Sequence, residues 1–171
     1  TQKSARRGLG HWPWGTWQGH DYKDPRTAFG YGRTLVAIDI REDKNELLWH
    51  YRDDEFLDAR AVCANRSNIF CYCPEKFLLS IDIKTGKPAW RNSDKETLEA
   101  IGPNGKAQHY VTGYATTCYL KCNEDYLFFA GPQRPRLAVA KTKDGSLGWT
   151  FPVGNLQLVL RDNGVWAAGP Q

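Results

Sequence analysis

Methionine occurs nowhere in the 171 residues, and no apolar run approaches the ~18 residues that a membrane-crossing helix needs. The longest, such as Tyr126 to Ala130, are the length of a strand, so no membrane span is predicted. No secretory leader is visible either; a processed form, a proteolytic product or a fragment would each account for a chain that starts at Thr1. Unopposed charge is scarce. The net charge of +4 comes from basic residues interleaved with acidic ones, as in Arg41, Glu42, Asp43, Lys44 and in Asp94, Lys95, Glu96, which reads as a solvated surface. Only Lys3, Arg6 and Arg7 stand unopposed, and a short basic start is read as a frayed terminus. Without a stripe of Lys and Arg interleaved with aromatics, no nucleic-acid partner is expected.

Signatures of chemistry are missing too. The sequence contains no G-x-S-x-G, no H-E-x-x-H and no phosphate-binding glycine loop, and no nucleophile has a base that can be named, so no catalytic residue is assigned. Five cysteines are present, Cys63, Cys71, Cys73, Cys118 and Cys122, but no C-x-x-C knuckle, no Cys-Cys dipeptide and no C-x-x-C-H. They are read as buried small hydrophobes. His11, His20 and Asp21 are too few for a metal set, and no metal site is predicted.

What the sequence has in quantity is aromatic residues, seven Trp, eight Tyr and seven Phe, 13% of the chain, within a hydrophobic fraction of 41%. Together with the β-branched residues they favour strands in one ordinary domain. These residues recur. Leu35-Val-Ala-Ile-Asp39 runs on to Trp49; Leu78-Leu-Ser-Ile-Asp82 runs through Thr85-Gly86 to Trp90; Leu137-Ala-Val-Ala-Lys141 runs through Asp144-Gly145 to Trp149. The last two keep the same step to the Trp and the first is two residues longer. A second alignment sets Asn65 to Pro74 beside Asn123 to Pro132 and Arg161 to Pro170, each a polar turn, an apolar strand and a Pro. Two hairpins thus form one four-stranded unit. Asn, Asp and Gly at the reversals tolerate the positive φ that tight turns demand. Alternation in Leu78, Ser80, Asp82 against Leu79, Ile81, Ile83 predicts a packed face and a polar face.

The pattern of a small residue, Asp two residues on, Thr-Gly and then Trp resembles the tryptophan-docking repeat of the pyrroloquinoline-quinone-like, quinoprotein-type β-propeller family. Ser80, Asp82, Thr85, Gly86 and Trp90 match it fully; Val139, Asp144, Gly145 and Trp149 match with Lys141 in place of Asp; Ala37, Asp39 and Trp49 match without the Gly. The resemblance implies an all-β fold, an incomplete arc of four-stranded antiparallel blades, in which Trp49, Trp90, Trp149, Asp39, Asp82, Gly86 and Gly145 dock one blade on the next. The expected division is an aromatic-rich segment 1–29 that packs on or over a blade, then an arc 30–171 made of a partial blade 30–58, a blade 59–92, an insertion 92–113, a blade 114–152 and a partial blade 153–171. Two complete units and two partial ones cannot close a ring of four to eight blades, so the remainder of the propeller or a partner chain is expected to complete it.

Two stretches lie outside the repeat. In the insertion, Ser93-Asp94-Lys95-Glu96 reads as a capping box opening a short helix through Ala100, with Gly102-Pro103 ending it. The polar residues that follow include Gln108, His109 and Tyr110, a candidate ligand-face loop whose alternative is a tolerated surface excursion. Trp12, Trp14 and Trp17 read as packing over a blade, a sugar or quinone stacking platform being the alternative. The function expected is that of a binding or scaffold module of a larger protein, with a protein or carbohydrate ligand. The resemblance also implies a periplasmic or otherwise extracytoplasmic setting. Its alternative is a segment of a quinoprotein dehydrogenase that oxidises an alcohol or sugar with pyrroloquinoline quinone (PQQ) and Ca, although a Ca-binding Glu, Asn and Asp set is not located in the sequence.

Overall fold

The structure is a computed structural model that describes residues 31–102, 118–131, 134–161 and 164–169. Two four-stranded antiparallel sheets form its centre. One consists of β3 (Val62–Ala64), β4 (Asn68–Cys73), β5 (Phe77–Asp82) and β6 (Pro88–Asn92), in that spatial order; the other of β7 (Tyr119–Cys122), β8 (Tyr126–Ala130), β9 (Leu137–Lys141) and β10 (Leu147–Phe151). A two-stranded sheet flanks each: β1 (Tyr31–Ile40) with β2 (Asn45–Asp58), and β11 (Gln157–Arg161) with β12 (Gly164–Ala168).

The repeat seen in the sequence is repeated in hydrogen bonds. Asn65 Oδ1 accepts from the N–H groups of Ser67 and Asn68 at 3.0 and 2.8 Å, and Asn123 Oδ1 accepts from Asp125 and Tyr126 at 3.0 and 2.7 Å. Asn65, in a glycosylation-type Asn-x-Ser, is thereby engaged in its own turn. At the second reversal, Gly86 N–H bonds to Asp82 O and Gly145 N–H to Lys141 O, both at 2.9 Å, with φ of 70° and 72°. Phe70, Ser80 and Trp90 lie abreast on β4, β5 and β6, as Phe128, Val139 and Trp149 do on β8, β9 and β10.

The sheets stack face to face. β3 runs beside β7, β7 beside β11, and β2 beside β4. Phe70, Tyr72 and Leu78 face Leu127 and Phe129 in one core; Cys71, Leu79 and Ile81 face Trp49 and Leu57 in a second; Phe128 and Val139 face Leu158 in a third. Successive residues of a strand alternate between two cores, because side chains leave a strand on opposite sides. The polar face expected for β5 is therefore absent: Ser80 is 0% exposed, since a further sheet covers that side as well. Sheets packed on both faces with their first strands side by side make an arc of a β-propeller.

The helix α1 spans Lys95–Ile101. Its cap is Asp94, one residue beyond the Ser93 of the expected capping box: Asn92 Oδ1 takes the Asp94 N–H at 2.6 Å, and Asp94 Oδ2 accepts from Thr97 N–H and Oγ1, both at 2.9 Å. Gly102, at φ 84°, ends the helix by donating to Leu98 O. The buried guanidinium of Arg134 donates to Gly102 O at 2.8 Å, placing a cation on the carbonyl end of α1, while Ile101 enters the core between the two central sheets.

Candidate functional site

Three groupings of polar and aromatic side chains lie across the boundaries between sheets. In the first, Trp49 Nε1 donates to Ile83 O and Trp90 Nε1 donates to Thr142 O, each at 2.9 Å. Ile83 and Thr142 follow Asp82 and Lys141 directly, so the two indoles meet the same atom of the same turn in successive sheets. The turn glycines lie flat against the rings. A Cβ at Gly86 would stand 2.6 Å from Trp49 Cδ2, and one at Gly145 would stand 2.6 Å from Trp90 Cζ3. Trp149 is different. It touches Phe128 edge-on at 6.5 Å and remains 41% exposed, whereas Trp49 is buried.

The Asp position of the repeat is used in three ways. Asp82 Oδ1 accepts from Lys84 N, Thr85 N and Thr85 Oγ1, and the Thr85 bonds hold its carboxyl below the usual carboxylate range. Where Lys141 stands instead, Asp144 shapes the turn by accepting from Ser146 N and Oγ at 2.9 and 2.6 Å. Asp39 pairs with Arg41 at 2.6 Å on the exposed edge of its hairpin.

The second grouping joins β2 to β6. Asp53, with a side chain 2% exposed, accepts from Tyr51 Oη at 2.5 Å, from Glu55 N–H at 2.9 Å and from the Arg91 guanidinium, which also lies 3.9 Å over the Phe77 ring. Burial pushes the Asp53 carboxyl up, but the Tyr51 and Glu55 hydrogen bonds and the Arg91 charge outweigh it and leave the group low. Burial, followed by the hydrogen bond to Asp53, pushes Tyr51 up to about 12. At pH 7 this is a closed ion pair, with no proton poised for transfer.

The third grouping lies where the first strands converge. Arg60, Tyr119, Leu120, Lys121, Gln157 and Leu158 line a recess of about 340 Å³. Arg60 forks onto Asp58, which is 0% exposed, through Nε at 2.8 Å and Nη2 at 3.0 Å. Lys121 Nζ donates to Leu158 O at 2.6 Å, tying β7 to β11. Two cations, a phenol and an amide thus converge on one opening, a set suited to holding an oxygen-rich ligand. Among the described residues, no three or more His, Cys, Asp or Glu side chains cluster closely enough to hold a metal ion.

No protein-family model and no curated protein matches the sequence. Solved structures do. The chain is similar to BamB from Moraxella catarrhalis, 11% identical with a TM-score of 0.49, over 81% of this chain and 46% of that one. It is also similar to a europium-containing methanol dehydrogenase, 14% identical with a TM-score of 0.45, over 70% of this chain and 22% of that one. The chain therefore spans less than half the length of either.

Of the residues singled out in the sequence, the structure brings Trp49 to Gly86 and Trp90 to Gly145, while Asp39 and Trp149 meet no such partner among the described residues. Gln108, His109 and Tyr110 lie outside the described residues, as does segment 1–29. Sequence reasoning missed Arg60, Lys121 and Gln157, and it missed the Tyr51, Asp53, Arg91 group. The one available signal for Arg60 was a charged pair, Asp58 and Arg60, placed between two strands.

Proposed function

We propose that the chain is a binding or scaffold module, an arc of an extracytoplasmic β-propeller within a larger protein, and that it receives a protein or carbohydrate ligand at the opening of its first strands. On this reading Trp49 and Trp90 are inter-blade docks, and the two-stranded sheets are partial blades. The observation that carries the reading is the pair of equivalent indole-to-turn bonds, Trp49 to Ile83 O and Trp90 to Thr142 O, which hold successive blades in one arrangement. It is supported by the apolar faces left at both ends of the arc, where Ile40 is 82% and Trp166 57% exposed. Further blades, from the larger protein or a partner chain, cover those faces. Trp149 then docks on a turn of the next blade.

A quinoprotein dehydrogenase would need PQQ beside Ca, held by several carboxylate and amide oxygens. The described residues do not fit that group: the buried carboxylates Asp53 and Asp58 are each committed to an arginine in separate places. The test is to add PQQ and CaCl2 to the purified chain, then measure the thermal midpoint and the reduction of an artificial electron acceptor with ethanol or glucose. Neither a shift nor reduction is expected, whereas a raised midpoint together with dye reduction replaces the scaffold reading with the enzyme.

A further inference from the structure

The five thiols fall into two classes by what they face. Cys71, Cys73 and Cys118 are buried, which pushes the first two up to about 12 and the third to about 11. Deep burial and a suppressed thiolate make these three inert. Cys63 on β3 and Cys122 at the end of β7 are only half-buried, and they pack against the same core. Their strands are the first strands of successive sheets and run side by side. Each thiol acts on the other as a close neighbour, Cys63 being pushed up and Cys122 held low. The turns just beyond are tied as well: Asn65 Nδ2 donates to Glu124 O at 3.4 Å, and Arg66 Nε lies 3.6 Å from Glu124 Oε1. These turn contacts hold the ends of β3 and β7 together, with both cysteines packed on the core beneath.

We propose that Cys63 and Cys122 are a redox-convertible pair, closing into a disulfide bond that joins the first strands of adjacent blades. Of the two, Cys122 is the thiol that its neighbour holds below the ordinary value, and in the proposed sequence it attacks first. The oxidant is a second disulfide, either a small one such as oxidised glutathione or that of a disulfide oxidoreductase. Cys122 gives its proton to solvent, and its thiolate attacks one sulfur of that disulfide. The S–S bond breaks, one thiolate leaves, and a mixed disulfide remains on Cys122. Cys63, losing its proton to solvent, then attacks the Cys122 sulfur and expels the second thiolate. Two protein thiols are oxidised to one disulfide, and one external disulfide is reduced to two thiols.

The test uses the full chain, reduced and then incubated with oxidised glutathione at pH 8. Free thiols are alkylated, the protein is cleaved with trypsin, and the peptides are weighed without reduction. The expected product is the peptide starting at Ala61 joined to the peptide starting at Cys122, split by dithiothreitol, with Cys71, Cys73 and Cys118 alkylated only after denaturation. The closed form should melt roughly 5–15 °C higher, as a cross-link over a long loop restricts the unfolded chain. Cys63→Ser should stop at a glutathione adduct on Cys122. Linkage to any other cysteine, or two alkylated thiols in a chain with native far-UV circular dichroism after that treatment, overturns the proposal.

Discussion

Replacing Gly145 by Ala tests whether the indole and the turn are one unit. A Cβ at this position stands 2.6 Å from Trp90 Cζ3, 2.8 Å from Cη2 and 3.0 Å from the Cβ of Asn92, on a backbone at φ 72°. Two costs add. An L-residue in the left-handed region costs about 1 kcal/mol. Forcing a methyl into the ring's place costs about 2 kcal/mol more, because Nε1 is pinned to Thr142 O and the ring cannot slide away. The expected loss is about 3 kcal/mol, read from urea unfolding followed by far-UV circular dichroism. The decisive measurement is the same substitution in a Trp90→Leu background, where the shorter side chain no longer reaches the glycine. Only the backbone cost remains there, so the two substitutions should couple by about 2 kcal/mol. Equal losses in both backgrounds, or a neutral Gly145→Ala, would refute the reasoning.

Three further outcomes follow from the same contacts. Gly86→Ala should be destabilising by a similar amount through Trp49, with the same dependence on that ring in a double-mutant cycle. Trp90→Phe should lower stability by about 1–2 kcal/mol by leaving Thr142 O without its donor, whereas Trp149→Phe should change it by less than about 0.5 kcal/mol in the isolated chain, both by urea midpoint. Asp53→Asn should cost about 2 kcal/mol at pH 7. The native Asp53 carboxyl is held low, so its contribution is present above the unfolded carboxylate value near ~4 and is lost as pH falls through the lower folded value. The variant's stability should accordingly fall less steeply below about pH 4, and identical acid slopes in variant and parent would show that the pair carries no such linkage.

The parts of the fold legible in the sequence are those built from neighbours in the chain. Asn65 and Asn123 announce their turns because an Asn side chain reaches backbone two and three residues on, and Thr85-Gly86 and Asp144-Gly145 announce theirs because only a residue tolerant of positive φ closes them. The contacts between sheets are another matter. Tyr51, Asp53 and Arg91 meet because β2 and β6 belong to adjoining sheets, and Cys63 meets Cys122 although the repeat sets Cys63 against Lys121. No spacing rule relates such residues. Ser80 misled for a related reason: a polar residue in an alternating strand signals a wet face only where one face is covered, and here both are.

The indole contacts and the recess fall on different strands of the same unit. The last strand of a sheet bears the indole and the turn before it bears the glycine, so Trp49 with Gly86 and Trp90 with Gly145 leave little room for substitution. At one inward position the first strands carry Val62, Leu120 and Leu158, and the next position is Cys63, Lys121 and Val159 in turn. A change at Lys121 alters the recess without touching an indole. Lys121 does both jobs, lining the opening while its ammonium bridges to Leu158 O on the next sheet. An acidic ligand group entering there would have to offer that ammonium a stronger acceptor than a carbonyl, which a carboxylate or phosphate does and a neutral hydroxyl does not. On the proposed binding reading, the recess would therefore favour an anionic ligand group over a neutral one.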